Sequence, residues 1–393
     1  MIMGKTIAIT GNTAAALGAA LSRPKVIAAY PITPQSSVVE YAASMIADGK
    51  LQSSMVQVES EHSAMSVVQG AAMAGARTFT ATSAQGLALM YEPYFRMSTL
   101  RLPMVMAVAG REMTAPETIW SGHQDTISVR DAGWIQIYVE NNQETLDMII
   151  QGYKLAEHKD ILIPVNVCYD GFYISHLYEG VNIPEQSEVD AFLPPYKQEH
   201  VILDPEKPMA VDPMTPGNLV MKYRKSHLDA MQRTFDVLDK IDQEFGDKFG
   251  RYYGGTVEKY KCDDADIVLV AMGAMSGTAK AAVDEKRAQG VKAGLLKIRM
   301  MRPFPNRQVA EVLADKKAYA VIDKNVVFGW PNGAVYMETK AALNQLGYRV
   351  ASLPVVGGLG GADISLDHMI NVIEKLEKMN KGDKEQECYW LED

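Results

Sequence analysis

The first half of the chain alternates short apolar runs with longer stretches whose apolar residues recur at helical spacing. This pattern predicts strands at 25–29, 55–58, 77–82, 103–109 and 161–167. It predicts helices at 36–45, 62–74, 86–97 and 143–157. The strands are apolar throughout rather than alternating, which is typical of a parallel sheet covered by helices on both faces.

After this half the pattern changes twice. Residues 179–216 are rich in Pro, Glu and Asp and lack sustained periodicity, which predicts an extended connection over the surface. A charged amphipathic helix is predicted at 225–244, and a second β-α-β-α-β pattern follows it. We therefore predict an α/β protein with a first domain at 1–235, a linker at 236–262 and a smaller α/β domain at 263–393.

Composition and charge narrow the class of protein. Of the 393 residues, 47% are hydrophobic and 22% are charged, and the net charge of −9 is dispersed along the chain. These values are ordinary for a globular protein and disfavour nucleic-acid binding. No apolar stretch reaches the roughly 18 residues that a membrane span needs, and no secretion signal is recognised. A cytoplasmic protein outside the membrane is expected.

The three cysteines, Cys168, Cys262 and Cys388, are far apart in the sequence. Their spacing matches neither a disulfide framework nor a zinc ribbon. An iron–sulfur cluster held by this chain alone is also excluded, because such clusters normally need four thiolates. We expect a reducing compartment and no metal site built by this chain.

Two polar clusters stand near predicted strand ends, where ligands bind in open α/β sheets. The first, at 30–37, offers hydroxyl groups such as that of Thr33 just before a helix start. Such a position favours a bound anion, but the same hydroxyls also cap helices. The second, at 59–62, places Glu61 at a strand-to-helix junction. An acid there is either a proton-transfer group or a partner of the helix dipole.

Two further clusters follow the apolar run at 103–109. Arg111 can clamp a carboxylate with two parallel hydrogen bonds, or it can form a surface ion pair with Glu112. His123, within the polar run 122–131, is either a proton shuttle or a hydrogen-bonded loop histidine. The residues alone therefore indicate two α/β domains with polar groups at strand ends, and no more.

A glycine-rich run at 357–361 is similar to a phosphate-binding loop. No helix clearly begins directly after it, so a flexible turn is favoured over a nucleotide site. The sequence contains no Walker-type motif and no nucleophile-elbow motif.

The polar clusters carry an ordered resemblance to a known family. The matching strings include YPITPQSSVVEY at 30–41, VESEHSAM at 58–65, TFTATSAQGLALM at 78–90, GHQDTISVRDAGW at 122–134 and LLKIRMMRPFP at 295–305. They resemble the alpha subunit of the pyruvate (2-oxoacid):ferredoxin oxidoreductase family. The resemblance implies a thiamine-diphosphate pyrimidine-type domain followed by a smaller transketolase C-terminal-like domain.

The resemblance also implies roles for particular residues. Glu61 would contact N1′ of the aminopyrimidine of thiamine diphosphate. Arg111 would pair with the carboxylate of the 2-oxoacid, and Thr33 would hydrogen-bond to it. Glu112 would lie beside the substrate. The cofactor site would be completed by Pro31, Ile32 and Gln85.

Two sequence motifs that this family needs for its reaction are absent from the sequence. The chain has no Gly-Asp-Gly motif with a downstream Asn to place Mg²⁺ and the diphosphate, and no ferredoxin-type cysteine run. The resemblance therefore implies a beta subunit with the diphosphate and Mg²⁺ site and a [4Fe–4S] cluster. It also implies gamma- and delta-type subunits with ferredoxin-like clusters, and ferredoxin as the electron acceptor. The alternative is a non-catalytic scaffold subunit of such a complex.

The loop after Arg111 departs from the family pattern. Pyruvate-using relatives usually have Asn-Arg-Ala-Leu and then Pro-x-Asn, whereas this chain has GREM at 110–113 and PET at 116–118. Two additional carboxylates beside an anion site weaken binding unless they are protonated or turned away. Pyruvate, giving acetyl-CoA, is the default substrate. The alternatives are oxalate without coenzyme A, 2-oxoisovalerate and 2-oxoglutarate.

Overall fold

A computed structural model of the chain describes residues 4–198, 200–381 and 387–392. The strands are β1 (Lys5–Thr10), β2 (Val26–Ala29), β3 (Ser54–Gln57), β4 (Thr78–Thr82), β5 (Val105–Gly110), β6 (Ile135–Tyr138), β7 (Val165–Asp170), β8 (Tyr178–Ile183), β9 (Val257–Tyr260), β10 (Ile267–Ala271), β11 (Ala293–Ile298), β12 (Met300–Arg302), β13 (Ala318–Asp323), β14 (Ala351–Val356) and β15 (Tyr389–Trp390). The helices are α1 (Gly11–Leu21), α2 (Ser36–Ala47), α3 (Glu61–Met73), α4 (Ala84–Leu89), α5 (Tyr91–Thr99), α6 (Gln124–Ser128), α7 (Asn142–Ala156), α8 (Gln186–Phe192), α9 (Gly217–Phe249), α10 (Met275–Ala288), α11 (Asn306–Leu313), α12 (Ala334–Gln345) and α13 (Leu366–Asn380), with a 3₁₀ turn at Leu359–Gly361. Within these ranges, no helix is both long and apolar enough to cross a membrane.

The first unit is built on a seven-stranded sheet in the order β12-β6-β7-β5-β4-β2-β3. All neighbouring strands are parallel except β12, which pairs antiparallel with β6. Strands β4, β5 and β7 are buried at every position, because helices cover both faces of the sheet. The predicted parallel sheet covered by helices is confirmed.

The second unit is built on a six-stranded sheet in the order β15-β14-β13-β10-β11-β9. Its strands are parallel except β9, which runs antiparallel to β11. Strand β12 follows β11 directly along the chain, yet it leaves this sheet and forms the edge of the seven-stranded one. The predicted second domain therefore contributes a strand to the first unit.

Three predicted segments differ from the structure. Residues 179–216 were expected to be extended throughout, but they contain β8, which pairs with β1, and α8, which begins with a capping box. The linker expected at 236–262 is largely helical, because α9 continues until Gly250 adopts a left-handed conformation. The single helix expected at 86–97 is two helices, α4 and α5, which meet at Met90.

A buried charge network joins the two units. The Glu144 carboxylate on α7 accepts hydrogen bonds from Lys297 Nζ at 2.8 Å and from Arg299 Nε at 2.8 Å. All three side chains are at most 2% exposed. Burial opposes ionisation of Glu144, but the two cations outweigh it and lower the pKa of Glu144 to about 2. The network therefore holds a charged carboxylate at the contact between the units.

We expect Glu144→Gln to lower the free energy of unfolding by about 3 kcal/mol, because the buried Arg299 loses its charged partner. Lys297 loses one carboxylate and keeps its pairs with Glu140 and Glu258. The pKa of Glu144 in the folded chain lies below its ordinary value of 4.5. Its stabilisation is therefore present above pH 4.5 and is lost as the pH falls towards 2. Thermal melting across this range should show a shallower acid limb for the variant than for the wild type.

The matched control is Asp190→Asn, which breaks an exposed pair with Arg23 whose side chains are 41% and 55% exposed. It should cost less than about 1 kcal/mol. Equal losses in the two variants would contradict the importance of the buried network.

Candidate active site

The predicted site residues come from the carboxyl ends of neighbouring strands in the seven-stranded sheet. Thr33 follows β2, Gln85 follows β4 and Arg111 follows β5. Glu61 begins α3, which comes after the edge strand β3. Because the carboxyl ends of parallel strands share one edge of a sheet, these residues lie along one rim of the first unit.

Glu61 is buried at the first position of α3, with 6% of its surface exposed. The hydroxyl of Ser60 already caps this helix, since it accepts a hydrogen bond from Ser63 N at 3.2 Å. In the described part of the chain, no group donates a hydrogen bond to the Glu61 carboxylate. Capping therefore does not explain why an acid is buried at this position.

The Glu61 carboxylate lies against the first turn of α4. A Cβ atom on Gly86 would stand 2.6 Å from Glu61 Oε1 and 2.5 Å from Thr82 Oγ1, so only glycine leaves room for the acid. Nearby buried oxygens without hydrogen-bond partners are Thr82 Oγ1, Ser83 Oγ and Gln85 Oε1. Buried polar groups of this kind need a partner, so the lining fits a polar ring such as an aminopyrimidine.

Two buried amides that we had not singled out anchor the turn after β2. Gln35 Nε2 donates to Ala81 O at 2.8 Å, and Asn12 Nδ2 donates to Pro34 O at 2.6 Å. An Asn in one helix and a Gln at the start of another give no sequence signal that they converge. The predicted contact residues on the outer side of this turn are Pro31 and Thr33, which are exposed, and Ile32, which is half-buried.

Arg111 is 6% exposed at the end of β5. Its Nε donates to Thr118 O at 2.8 Å and its Nη1 donates to Thr33 O at 3.0 Å. The structure thus brings Arg111 and Thr33 together through the backbone carbonyl of Thr33. The third contact is from Nη2 to Glu117 Oε1 at 2.8 Å, and this glutamate is 69% exposed. Glu117, rather than Glu112, neutralises the guanidinium group.

Glu112 is turned away from Arg111. A Cβ atom on Gly122 would stand 2.6 Å from Glu112 Oε2, and Met113 N donates to Glu112 Oε1 at 3.2 Å. Burial raises the pKa of Glu112, while the N–H groups of Met113 and Gly360 oppose the rise. The expected place of Glu112 beside the substrate stays a prediction.

Asp125 connects the two sides of the rim, and we had not singled it out. Its Oδ2 accepts hydrogen bonds from Ala84 N at 2.9 Å and from Arg111 N at 3.0 Å. Ala84 begins α4, whose first turn lies against Glu61. Burial raises the pKa of Asp125 to about 7, although the backbone N–H donors oppose the rise. One carboxyl group therefore fixes both the Glu61 side and the Arg111 side of the site.

His123 belongs to a buried cluster between the two units. Its Nε2 lies 3.3 Å from Asp170 Oδ1 at the end of β7. Asp170 also pairs with Lys324 from the second unit and accepts a hydrogen bond from Ser121 Oγ at 3.0 Å. Burial opposes ionisation of Asp170, but Lys324 and His123 outweigh it and hold its pKa well below the usual range. His123 is therefore buried beside Asp170 at the contact between the two units, and the choice between a proton shuttle and a hydrogen-bonded loop histidine stays open.

Comparison with known proteins identifies this arrangement. The profile of the pyruvate flavodoxin/ferredoxin oxidoreductase thiamine-diphosphate-binding domain matches residues 17–243. The profile of pyruvate:ferredoxin oxidoreductase core domain II matches residues 265–369. Pyruvate synthase subunit PorA of Methanocaldococcus jannaschii is 49% identical over 371 residues, which cover 94% of each chain. The chain belongs to the pyruvate (2-oxoacid):ferredoxin oxidoreductase family, as an alpha subunit. The predicted family is confirmed.

A further relative is similar in sequence over most of the chain, and two solved structures are similar in fold alone. The alpha subunit of NADH-dependent phenylglyoxylate dehydrogenase from Aromatoleum evansii is 46% identical over 385 residues, covering 96% of this chain and 92% of that one. The solved 2-oxoglutarate:ferredoxin oxidoreductase from Magnetococcus marinus superposes with a TM-score of 0.73 at 19% identity, covering 95% of this chain. The superposed region covers 65% of the longer Magnetococcus marinus chain. A split-gene transketolase superposes with a TM-score of 0.56 at 13% identity, which shows likeness of fold alone.

Asp125→Asn should reduce the loss of stability of the alpha subunit that occurs as the pH rises from about 4 to about 7. The pKa of Asp125 in the folded chain is about 7, above its ordinary value of 3.8. The folded chain therefore retains a proton that the unfolded chain has released, and this contribution to stability is lost as the pH rises through about 7. Melting temperatures measured between about pH 4 and pH 7 should fall less steeply for the variant than for the wild type.

The exposed variant Asp190→Asn should keep the wild-type slope. Burial raises the pKa of Asp323 to about 6, so this residue contributes to the slope that remains in all of these proteins. An unchanged slope in Asp125→Asn would show that Asp125 keeps its ordinary pKa.

Proposed function

We propose that this alpha subunit binds the aminopyrimidine half of thiamine diphosphate and the carboxylate of a 2-oxoacid. The complex that contains it would decarboxylate the 2-oxoacid oxidatively and pass the electrons through iron–sulfur clusters to ferredoxin. The observation that carries the proposal is the buried carboxyl group of Glu61, which lies beside Gly86. Among the residues that the structure describes, neither this carboxylate nor the nearby oxygens of Thr82, Ser83 and Gln85 have a hydrogen-bond partner. When bound, the cofactor supplies an electron sink for the decarboxylation.

Glu61 is proposed to hydrogen-bond to N1′ of the aminopyrimidine. A buried carboxyl group makes a short, strong hydrogen bond of the kind that holds a proton at a ring nitrogen. Gly86 leaves space for this group, and only 6% of the surface of Glu61 is exposed to water. The residues proposed to contact the rest of the ring are Pro31, Ile32 and Gln85.

Arg111 is proposed to bind the 2-oxoacid carboxylate, with Thr33 beside it. The carbonyls of Thr118 and Thr33 fix the guanidinium group through Nε and Nη1. The acceptor at Nη2 is the exposed carboxylate of Glu117, which the substrate carboxylate would have to displace or share. Arg111 is therefore oriented before substrate binds, but its outer edge already carries an anion.

The other half of the cofactor site is proposed to lie on partner subunits. A beta subunit would supply the Mg²⁺ and diphosphate site and a [4Fe–4S] cluster, and gamma- and delta-type subunits would carry ferredoxin-like clusters. The described residues offer no group of three His, Cys, Asp or Glu side chains that could hold a metal ion. The free thiols of Cys168, Cys262 and Cys388 support a reducing, cytoplasmic location.

Pyruvate, converted with coenzyme A to acetyl-CoA, is the default substrate. The pyruvate synthase subunits of Methanocaldococcus jannaschii and Methanothermobacter thermautotrophicus, at 49% and 45% identity, support it. Phenylglyoxylate is the second candidate, because the Aromatoleum evansii relative aligns over 385 residues and the Arg111–Glu117 pair departs from the pyruvate-using pattern. The remaining alternatives are oxalate, 2-oxoisovalerate and 2-oxoglutarate. A complex that assembles but turns over none of these would indicate a scaffold subunit.

Gly86→Ala should abolish thiamine-diphosphate-dependent turnover, because its Cβ atom would displace the Glu61 carboxylate. Glu61→Gln should lower kcat by at least about 100-fold, the usual range for loss of a proton-transfer partner. The assay is viologen reduction by the assembled complex with thiamine diphosphate titrated.

The control is Gly70→Ala, a glycine of α3 with no atom within 4 Å of an added Cβ. This variant should keep wild-type activity and gain a little helix stability. Near-normal turnover in Glu61→Gln would remove Glu61 from the site.

Glu117→Gln should lower the KM for the 2-oxoacid about two- to fivefold, because a neutral amide competes less well for Arg111 than an exposed carboxylate does. Initial rates with each candidate acid, with and without coenzyme A, give both the KM values and the substrate. The exposed Glu285→Gln on α10 is the control for the change in charge. A KM that rises in Glu117→Gln would show that Glu117 binds substrate rather than competing with it, and turnover of oxalate without coenzyme A would replace pyruvate as the default.

A further inference from the structure

The glycine segment, residues 357–361 of the second unit, is packed onto the Arg111 loop, residues 111–121 of the first unit. Gly361 N donates a hydrogen bond to Ser121 O at 2.7 Å. The hydroxyl of Tyr173, which follows β7, donates to Gly361 O at 2.9 Å. The run that resembled a phosphate loop is thus bonded on both sides to elements of the first unit.

The contact requires glycine. Gly361 has a φ of +76°, a conformation that side chains disfavour. A Cβ atom at this position would stand 2.5 Å from Trp120 Cβ and 3.4 Å from Ser121 N. The neighbour at the closest point is a Cβ atom close to the backbone rather than the far end of a flexible chain. A side chain at Gly361 would therefore push the backbone of the Arg111 loop.

The backbone of the Arg111 loop is hydrogen-bonded to the guanidinium group of Arg111. Trp120 O accepts a hydrogen bond from Glu112 N at 3.1 Å, which closes the loop on itself next to Arg111. Two residues earlier, Thr118 O accepts from Arg111 Nε at 2.8 Å. A shift of Trp120 therefore moves the carbonyl group that orients Arg111.

The second unit also contacts the end of the Arg111 loop through Lys324. Lys324 Nζ, which follows β13, contacts Ser121 Oγ at 2.9 Å and pairs with Asp170. Lys324 O accepts a hydrogen bond from His123 N at 2.9 Å. The glycine segment and Lys324 thus fix both the backbone and the side chain of Ser121.

We propose that the glycine segment sets the position of Arg111, with Gly361 as a positioning residue for recognition of the 2-oxoacid carboxylate. The proposal rests on the proposed function of Arg111. It assigns the second unit a part in substrate affinity that is separate from the Glu61 side of the site. Substrates are recognised by an arginine on one unit whose orientation is set by the other unit.

The decisive comparison is Gly361→Ala with Gly347→Ala in the assembled complex. Gly347 has a φ of +80° and no atom within 4 Å of an added Cβ, so both variants carry the same backbone strain and only one pushes Trp120. Gly361→Ala should raise the KM for the 2-oxoacid about tenfold or more relative to Gly347→Ala. The concentration of thiamine diphosphate that gives half activity should stay within about twofold of wild type, since Glu61 is untouched. Two results would overturn the proposal. One is an equal KM for the 2-oxoacid in the two variants. The other is a rise in the half-saturating concentration of thiamine diphosphate in Gly361→Ala that is as large as the rise in its KM.

A milder pair covers the case in which Gly361→Ala does not assemble. Tyr173→Phe removes only the hydroxyl that donates to Gly361, and Tyr252→Phe removes an exposed hydroxyl that donates to Asp247. The first should raise the KM for the 2-oxoacid about fivefold, as loss of one hydrogen bond allows, and the second should leave it unchanged. No difference between them would overturn the proposal.

A readout independent of activity separates this inference from the proposed function. Glu117 is 69% exposed, so a glutamate-specific protease can reach it once the Arg111 loop loosens. Cleavage after Glu117 should be faster in Gly361→Ala or Tyr173→Phe than in their controls. Equal cleavage rates would show that the glycine segment does not hold the Arg111 loop in place. A wild-type complex that oxidises no 2-oxoacid would refute the proposed function while leaving this cleavage result interpretable.

Discussion

One oxygen of Asp125 accepts hydrogen bonds from the backbone of two strand-end loops, at Ala84 and at Arg111. A carboxyl group buried this deeply has no water to solvate it, so these N–H groups are its main compensation. If either loop moved, Asp125 would lose one of its three backbone hydrogen bonds, the third being from Thr126 N at 2.7 Å. The distance between the Glu61 side and the Arg111 side of the site is therefore fixed by a residue that needs to contact neither cofactor nor substrate.

Buried ionic contacts between the two units also fix the positions of the elements that carry them. Glu144 meets two cations from the second unit, and Asp170 meets Lys324. Buried pairs add little net stability compared with apolar packing, but breaking one leaves an isolated charge in a dry environment. Such contacts therefore disfavour other arrangements of the two units. The Asp170–Lys324 pair contacts Ser121 of the Arg111 loop, so a shift between the units at this pair would act on that loop directly.

The sequence was most informative where the signal is local. The strand predicted at 77–82 corresponds to β4, and apolar runs followed by polar residues placed Glu61 and Arg111 near strand ends. It was uninformative about contacts between distant segments. Asp125 and Ala84 are 41 positions apart, and no periodicity records that they meet. The choice between Glu112 and Glu117 as the partner of Arg111 likewise depends on how one short loop closes, which side-chain chemistry alone does not determine.

Strand β12 also bears on how the chain can be divided. It protects the edge of β6, whose four residues are all buried, and it is supplied by sequence that lies after the second unit has begun. A fragment ending before β12 would expose the free N–H and C=O groups of an apolar edge strand, which is a common starting point for intermolecular pairing and aggregation. Translation of the second half must therefore be well advanced before the first sheet is safe from self-association, and the two halves are better regarded as one folding unit than as separable modules.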